Sequence, residues 1–279
     1  MTVAKLEEIM GPLPGVAHGK PVWKVDGEWL DGGLMRRHVT YDDEVPAWLL
    51  LPPDALRRKG PAVLCLHQTT RIGKDEPAGL GGKPNLHYAR ELALRGFVTL
   101  APDYPNFGEY RYDPYASGYV SATMKGIVNH MRAVSLLDGL GVSGVAVCGH
   151  SLGGHNSLFL ASFDRRVRAV ITSCGFTSFR KYMGGDLKGW SHRGYMPKIA
   201  GRRAEEMPFE FADVLRLIAP RPVFVSAPLR DANFDASGVD DAVRDSRHAG
   251  IRVEHPDCEH DFPPEVRQLS YAWLDRVMR

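Results

Sequence analysis

The chain predicts an α/β fold, in which a mostly parallel, doubly wound sheet carries helices on both faces after an antiparallel start. Three observations lead there. The N-terminal stretch holds β-branched and aromatic runs separated by tight breaks such as Asp31-Gly32 and Pro52-Pro53, the pattern of hairpin strands. From Pro61 onward short apolar strands alternate with helical patterns, as parallel strands joined by helical crossovers require. The central strands among them, Ala62 to Leu66 and Val145 to Cys148, are apolar along their whole length, so both faces of the sheet must be covered there.

Pro21 to Trp29, Leu34 to Tyr41 and Val45 to Leu51 form the antiparallel start. Ala62 to Leu66 is a buried strand, followed by a long glycine-containing loop and a helix over His87 to Arg95. Phe97 to Leu100 is the next strand, ending in Ala101-Pro102-Asp103-Tyr104-Pro105, and an amphipathic helix spans Tyr119 to Leu137. The strand Val145-Ala146-Val147-Cys148 follows, a helical segment begins at Leu152, and Val167 to Thr172 is a further strand. A glycine- and aromatic-rich excursion at 175–208 interrupts the rhythm. It resumes with the strand Pro222 to Ser226, a helix over Val239 to His248, the strand Ile251 to Glu254 and a last helix over Pro264 to Val277. No internal repeat or long Ser/Gly linker divides the chain, so a single domain over 1–279 with a lid-like excursion at 175–208 is expected.

Composition narrows the function. The 279 residues are 44% hydrophobic and 24% charged, ordinary for a globular protein with a large core. A formal charge of +2 gives no basic field for nucleic acid or an acidic membrane, and the longest apolar runs are strand-sized. The four cysteines, Cys65, Cys148, Cys174 and Cys258, fall in or beside strand-like segments without metal-type spacing. With an N-terminus lacking the basic-then-apolar build of a secretory signal, they suggest reduced thiols in a cytoplasmic protein. The alternative is an exported chain whose signal has been trimmed. No cofactor or metal is expected. His150 and His155 stand five apart and do not face one another on a helix.

Chemistry enters at Gly149-His150-Ser151-Leu152-Gly153-Gly154, where an apolar strand runs straight into Gly-x-Ser-x-Gly. A serine hydroxyl is a poor nucleophile until the backbone presents it to a base and to an oxyanion site. A sharp strand-to-helix elbow does this, and it needs glycine at 149 and 153 because side chains there would collide as strand and helix close together. Ser151 is therefore the candidate nucleophile. Ligands in doubly wound sheets bind beyond the carboxyl ends of the strands, so its partners should stand just past other strand ends.

Past the strand ending at Ser226 comes Asp231, placed to orient an imidazole, with Asp235 as the fallback; an Asp capping the following turn fits Asp235 better. Past the strand ending at Glu254, His260 stands in a loop before the last helix and is the candidate base, whereas His255 sits at the strand end and reads as structural. The oxyanion needs backbone N–H donors. Leu152 supplies one, and Thr69 or Gln68, in the loop after Leu66, supplies the other. His67 reads as a packing residue under that loop. Tyr104, Trp190 and Tyr195 are candidate substrate-binding residues, although Trp190 and Tyr195 could equally anchor the excursion. Asp103 reads as a loop brace, and Lys74 and Glu76 as solvated surface charge.

Together with Val45 to Pro52, Leu66-His67-Gln68-Thr69, Ala219-Pro220-Arg221-Pro222 and His260-Asp261-Phe262-Pro263, these residues resemble the α/β-hydrolase superfamily. Within it the chain is similar to bacterial carboxylesterases of the dienelactone-hydrolase and acetyl xylan esterase type, with some likeness to prolyl-oligopeptidase catalytic domains. The likeness runs from about residue 40 to the end. It implies an eight-stranded sheet and a Ser-His-Asp triad of Ser151, His260 and Asp231. The implied activity is cofactor-independent hydrolysis of small or medium esters, including acetylated carbohydrate, through an acyl-enzyme. Two residues depart from the pattern. Dienelactone hydrolases carry a cysteine where Ser151 stands, and Gln68 replaces the usual glycine of the oxyanion loop. Peptidase or amidase activity on the same triad, or a non-catalytic binding role for the fold, are the alternatives.

Overall fold

The structure, a computed structural model, describes residues 2–279. Nine strands form one sheet: β1 (Trp23–Asp31), β2 (Leu34–Tyr41), β3 (Val45–Leu51), β4 (Ala62–Leu66), β5 (Val98–Pro102), β6 (Val145–His150), β7 (Val167–Ser173), β8 (Val223–Ser226) and β9 (Ile251–Glu254). Their order is β1-β2-β3-β5-β4-β6-β7-β8-β9. β1, β2 and β3 pair antiparallel, β3 also against β5, and every pairing from β5 across to β9 is parallel. The sheet thus has nine strands rather than eight, because the N-terminal stretch folds as three paired strands and β1 ends as a largely exposed edge.

Alternation within the parallel strands divides the core into two layers. Ala62, Leu64 and Leu66 of β4, with Val145 and Val147 of β6, face one apolar cluster. Val63 and Cys65, with Ala146 and Cys148, face the other. The first is covered by α1 (Ala4–Met10), α3 (Ala122–Gly139), α4 (Leu152–Phe163), α5 (Phe211–Ile218) and α6 (Ala236–Ser246). The second is covered by α2 (Tyr88–Leu94) and α7 (Pro264–Met278). Among the described residues, no helix is long and apolar enough to cross a membrane.

Helix boundaries follow local chemistry. α3 starts at Ala122 because the Ser121 hydroxyl accepts the Met124 amide at 3.0 Å. α6 starts three residues before the expected Val239 because Asp235 caps it, its carboxylate taking the Gly238 amide at 3.1 Å. Neither α1 nor α5 is anticipated by the sequence pattern. Each is short, and α5 adjoins the excursion whose glycines and aromatics mask its periodicity.

The chain leaves β4 toward β5 on one side and returns to β6 on the other. This reversal opens a crevice beyond the carboxyl ends of β4 and β6, where an open α/β sheet binds its ligands. The loop carrying Gln68 and Thr69 lies at one lip and Ser151 at the other.

Candidate active site

Ser151 occupies the turn between β6 and α4 with φ 53° and ψ −117°, a conformation that non-glycine residues rarely adopt. The strain is held by packing on both sides. The Ser151 amide donates to the Ser173 carbonyl at 2.8 Å. A Cβ at Gly149 would overlap the backbone of Gly153, and one at Gly153 would overlap the Leu66 carbonyl. Gly154 is equally pressed against Gly175. The elbow and the end of β4 therefore touch backbone to backbone, which only glycine permits.

His260 lies in the loop between β9 and α7, and its Nδ1 is 2.8 Å from Asp231 Oδ2. The other oxygen of Asp231 accepts the amides of Asn233 at 2.9 Å and Phe234 at 3.1 Å, so the carboxylate is fixed. Burial pushes the Asp231 carboxyl up, but its bond to His260, the imidazole charge and these two amides outweigh it and hold the group below the ordinary range. Asp235 is engaged instead at the start of α6, with Ser237 Oγ and the Gly238 amide. His255 is likewise engaged elsewhere, with the Ala227 carbonyl at 2.8 Å and Asp240 at 3.1 Å.

Ser151, Leu152, Gln68, Thr69 and His260 open on one cavity of about 420 Å³, within the range of small-molecule sites. Leu152 is the first residue of α4, so its N–H lies in the helix's first turn, which has no carbonyl behind it. Trp190 and Tyr195 line the cavity from the excursion, and Trp190 also packs against Phe179, Tyr182, Phe211 and Phe234. Trp190 thus borders the cavity and also anchors the excursion. Tyr195 Oη meets Thr69 Oγ1 at 2.6 Å, joining the excursion to the loop after β4.

Tyr104 is placed differently from expectation. It is buried behind the loop after β4, outside the cavity lining, its ring 4.0 Å from that of His67. Strand β5 runs on to Pro102, two residues further than expected, and carries Tyr104 beneath the loop rather than onto its rim. Lys74 and Glu76 are also corrected, because both are buried. Lys74 Nζ sits 3.3 Å from Asp103 and 3.1 Å from Glu109, and Glu76 accepts the Gln68 side-chain amide at 2.9 Å. Asp103 braces the loops, accepting the backbone amides of Lys74 and Glu109.

Four neighbours were not read from sequence as site residues. His155 and Phe234 line the cavity, and Phe234 stacks on His260 with centroids 5.8 Å apart. His150, buried and held neutral by burial, packs its ring 4.9 Å from that of His260 and bonds Ser173 Oγ at 3.0 Å. Cys174, just past β7, completes a trio with Asp231 and His260 whose ligating atoms all lie within 4.8 Å of one another. It is the one group among the described residues with metal-like spacing, and its carboxylate is already held by the imidazole and two amides. The signal for these residues was positional, each adjoining a strand end or the elbow.

A family model described as "alpha/beta hydrolase fold" matches residues 61–210. A comparison with curated protein sequences returns no match. Among solved structures, a glucuronoyl esterase from Solibacter usitatus is similar, with a TM-score of 0.75 and 17% identity, covering 98% of this chain and 90% of that one. An acetyl xylan esterase from Paenibacillus sp. R4 gives a TM-score of 0.67 and 18% identity over 99% of this chain and 100% of that one. An esterase from Pyrococcus furiosus gives 0.63 and 14% over 92% of each. With the matched region covering more than half of its length and the sheet order, elbow and strand-end residues described above, the chain belongs to the alpha/beta hydrolase fold family.

Proposed function

We propose that the protein is a serine-dependent carboxylic ester hydrolase with Ser151, His260 and Asp231 as its triad. One observation carries the reading: a serine held in a strained elbow and an imidazole oriented by a buried carboxylate open on the same cavity. His260 takes the hydroxyl proton through Nε2 as Ser151 attacks the acyl carbon, and returns it to the departing alcohol. Asp231 keeps the other ring nitrogen protonated and steadies the imidazolium. The oxyanion is held by the Leu152 amide and by an amide of the Gln68–Thr69 segment. Water then repeats the sequence and releases the acid.

A cavity of about 420 Å³ suits small or medium esters. The esterase names of the structurally similar proteins, an acetyl xylan esterase among them, support an ester and favour acetylated carbohydrate. The excursion at 175–208 would serve as the lid of a single domain. Four free thiols, three of them buried, fit a reducing cytoplasm. Turnover of an aryl ester against the matching anilide tests the reading. Ester hydrolysis exceeding anilide hydrolysis by orders of magnitude is expected, and comparable rates would favour an amidase or peptidase.

A further inference from the structure

Beyond the Thr69–Tyr195 bridge lies a second cavity of about 530 Å³. It shares with the catalytic cavity those two residues and no others. Its walls come from the loop after β5 and from the excursion, and three aromatic rings, Phe107, Tyr112 and Tyr115, are among them. Two of the rings are fixed by their neighbours. Tyr112 is stacked on Tyr110 with centroids 5.4 Å apart and planes at 27°. The Arg193 guanidinium lies 4.3 Å from the centre of the Tyr115 ring, and the Tyr115 hydroxyl donates to the Arg193 carbonyl.

Polar groups with unused capacity surround these rings. Asp113 gives one oxygen to the amides of Tyr115 and Ala116, which leaves the other. His192 accepts the Gly194 amide on Nδ1, which leaves Nε2. Arg193 is paired with an aromatic face rather than a carboxylate, so its fork of donors stays available. A plain acyl chain would use the ring faces alone. A polyhydroxylated ring offers both halves of the match: C–H faces to lie on aromatics, and hydroxyls that donate and accept in turn.

We propose that this second cavity is a sugar-binding subsite, holding a polyhydroxylated ring whose ester linkage reaches Ser151 across the Thr69–Tyr195 bridge. The inference rests on the esterase reading and adds where the bulk of the substrate sits. The ring enters either as the alcohol of an acetylated sugar or as the acid of a sugar-acid ester, and substrate choice separates the two.

The test compares wild type, Arg193→Met and Tyr115→Ala on three substrates: p-nitrophenyl acetate, a monoacetylated methyl xyloside and the methyl ester of glucuronic acid. Both variants should lower the ratio of sugar-ester to p-nitrophenyl acetate kcat/KM by roughly tenfold or more, mainly through KM on the sugar ester. Arg193→Met is the safer arm, because Arg193 is exposed and the change removes its head group while keeping an unbranched side chain. Whichever sugar ester responds identifies the side on which the ring enters. Equal losses on sugar and aryl esters in both variants would overturn the subsite, as would turnover of the aryl ester with none of either sugar ester. Failure of the wild type on p-nitrophenyl acetate as well would overturn the esterase reading, and the subsite with it.

Discussion

Gly153 and Leu66 are in backbone contact: a single methyl group on the first would overlap the carbonyl of the second. Through this contact the first turn of α4, which presents Leu152 N–H, is set against the end of β4, from which the Gln68–Thr69 loop departs. The two proposed oxyanion donors thus have their spacing fixed by glycine rather than by side chains.

Gly153→Ala should therefore cost on the order of 3 kcal/mol of stability or prevent folding. Gly139→Ala, at the end of α3 with open space around it, should be neutral or slightly stabilising. Urea unfolding of the two variants measures the difference, and equal midpoints would refute the packing argument.

Asp231 and Asp235 separate cleanly. Asp231→Asn should reduce kcat on an aryl ester by about 10³–10⁴ because the amide no longer holds the required tautomer. Asp235→Asn should stay within a few-fold of wild type, since an asparagine still caps α6. Steady-state kinetics on both variants decide between them, and the reverse pattern would reassign the acid.

The strand alternation, the elbow and the strand-end positions of Asp231 and His260 were legible because each follows from a local rule: apolar runs, glycine at points of contact, polar residues after a strand. The reading failed where long-range packing decides. Lys74 looks like a surface lysine in a glycine-rich loop, yet that loop folds back over β3 and β5 and seats Nζ beside Asp103, 5.5 Å from the Trp48 ring centre. Tyr104 was misplaced for a similar reason, since where β5 ends is set by its pairing with β3. Cys174 read only as a reduced thiol beside a strand, because a lone cysteine carries no further pattern until its strand is laid beside β8.

Breaking the buried pair at Lys74 should be costly. Lys74→Met strands Asp103 without its cation, and a loss of about 3–5 kcal/mol is expected from chemical denaturation. Arg37→Met, which removes a partner of the exposed Glu28, should change stability by less than about 1 kcal/mol.

Stability should fall on mild acidification. Burial lowers the pKa of His67 to about 4 and those of His130 and His155 to about 3, so all three stay neutral in the fold. In the unfolded chain they protonate near the ordinary value of 6.5. Between that pH and about 4 the unfolded state binds more protons, so stability drops with falling pH by up to about 1.4 kcal/mol per unit for each histidine. His130 has no partner for either ring nitrogen. His130→Leu should flatten the slope by about one histidine's share in urea titrations at pH 7, 6 and 5, and an unchanged slope would count against it.

The most direct measurement is covalent labelling with a fluorophosphonate probe, read by intact mass and peptide mapping. Stoichiometric modification at Ser151 is expected in the wild type, none in Ser151→Ala, and labelling slowed by at least about 10³ in His260→Ala. Rapid labelling that persists without His260, or modification at a different residue, would contradict the account.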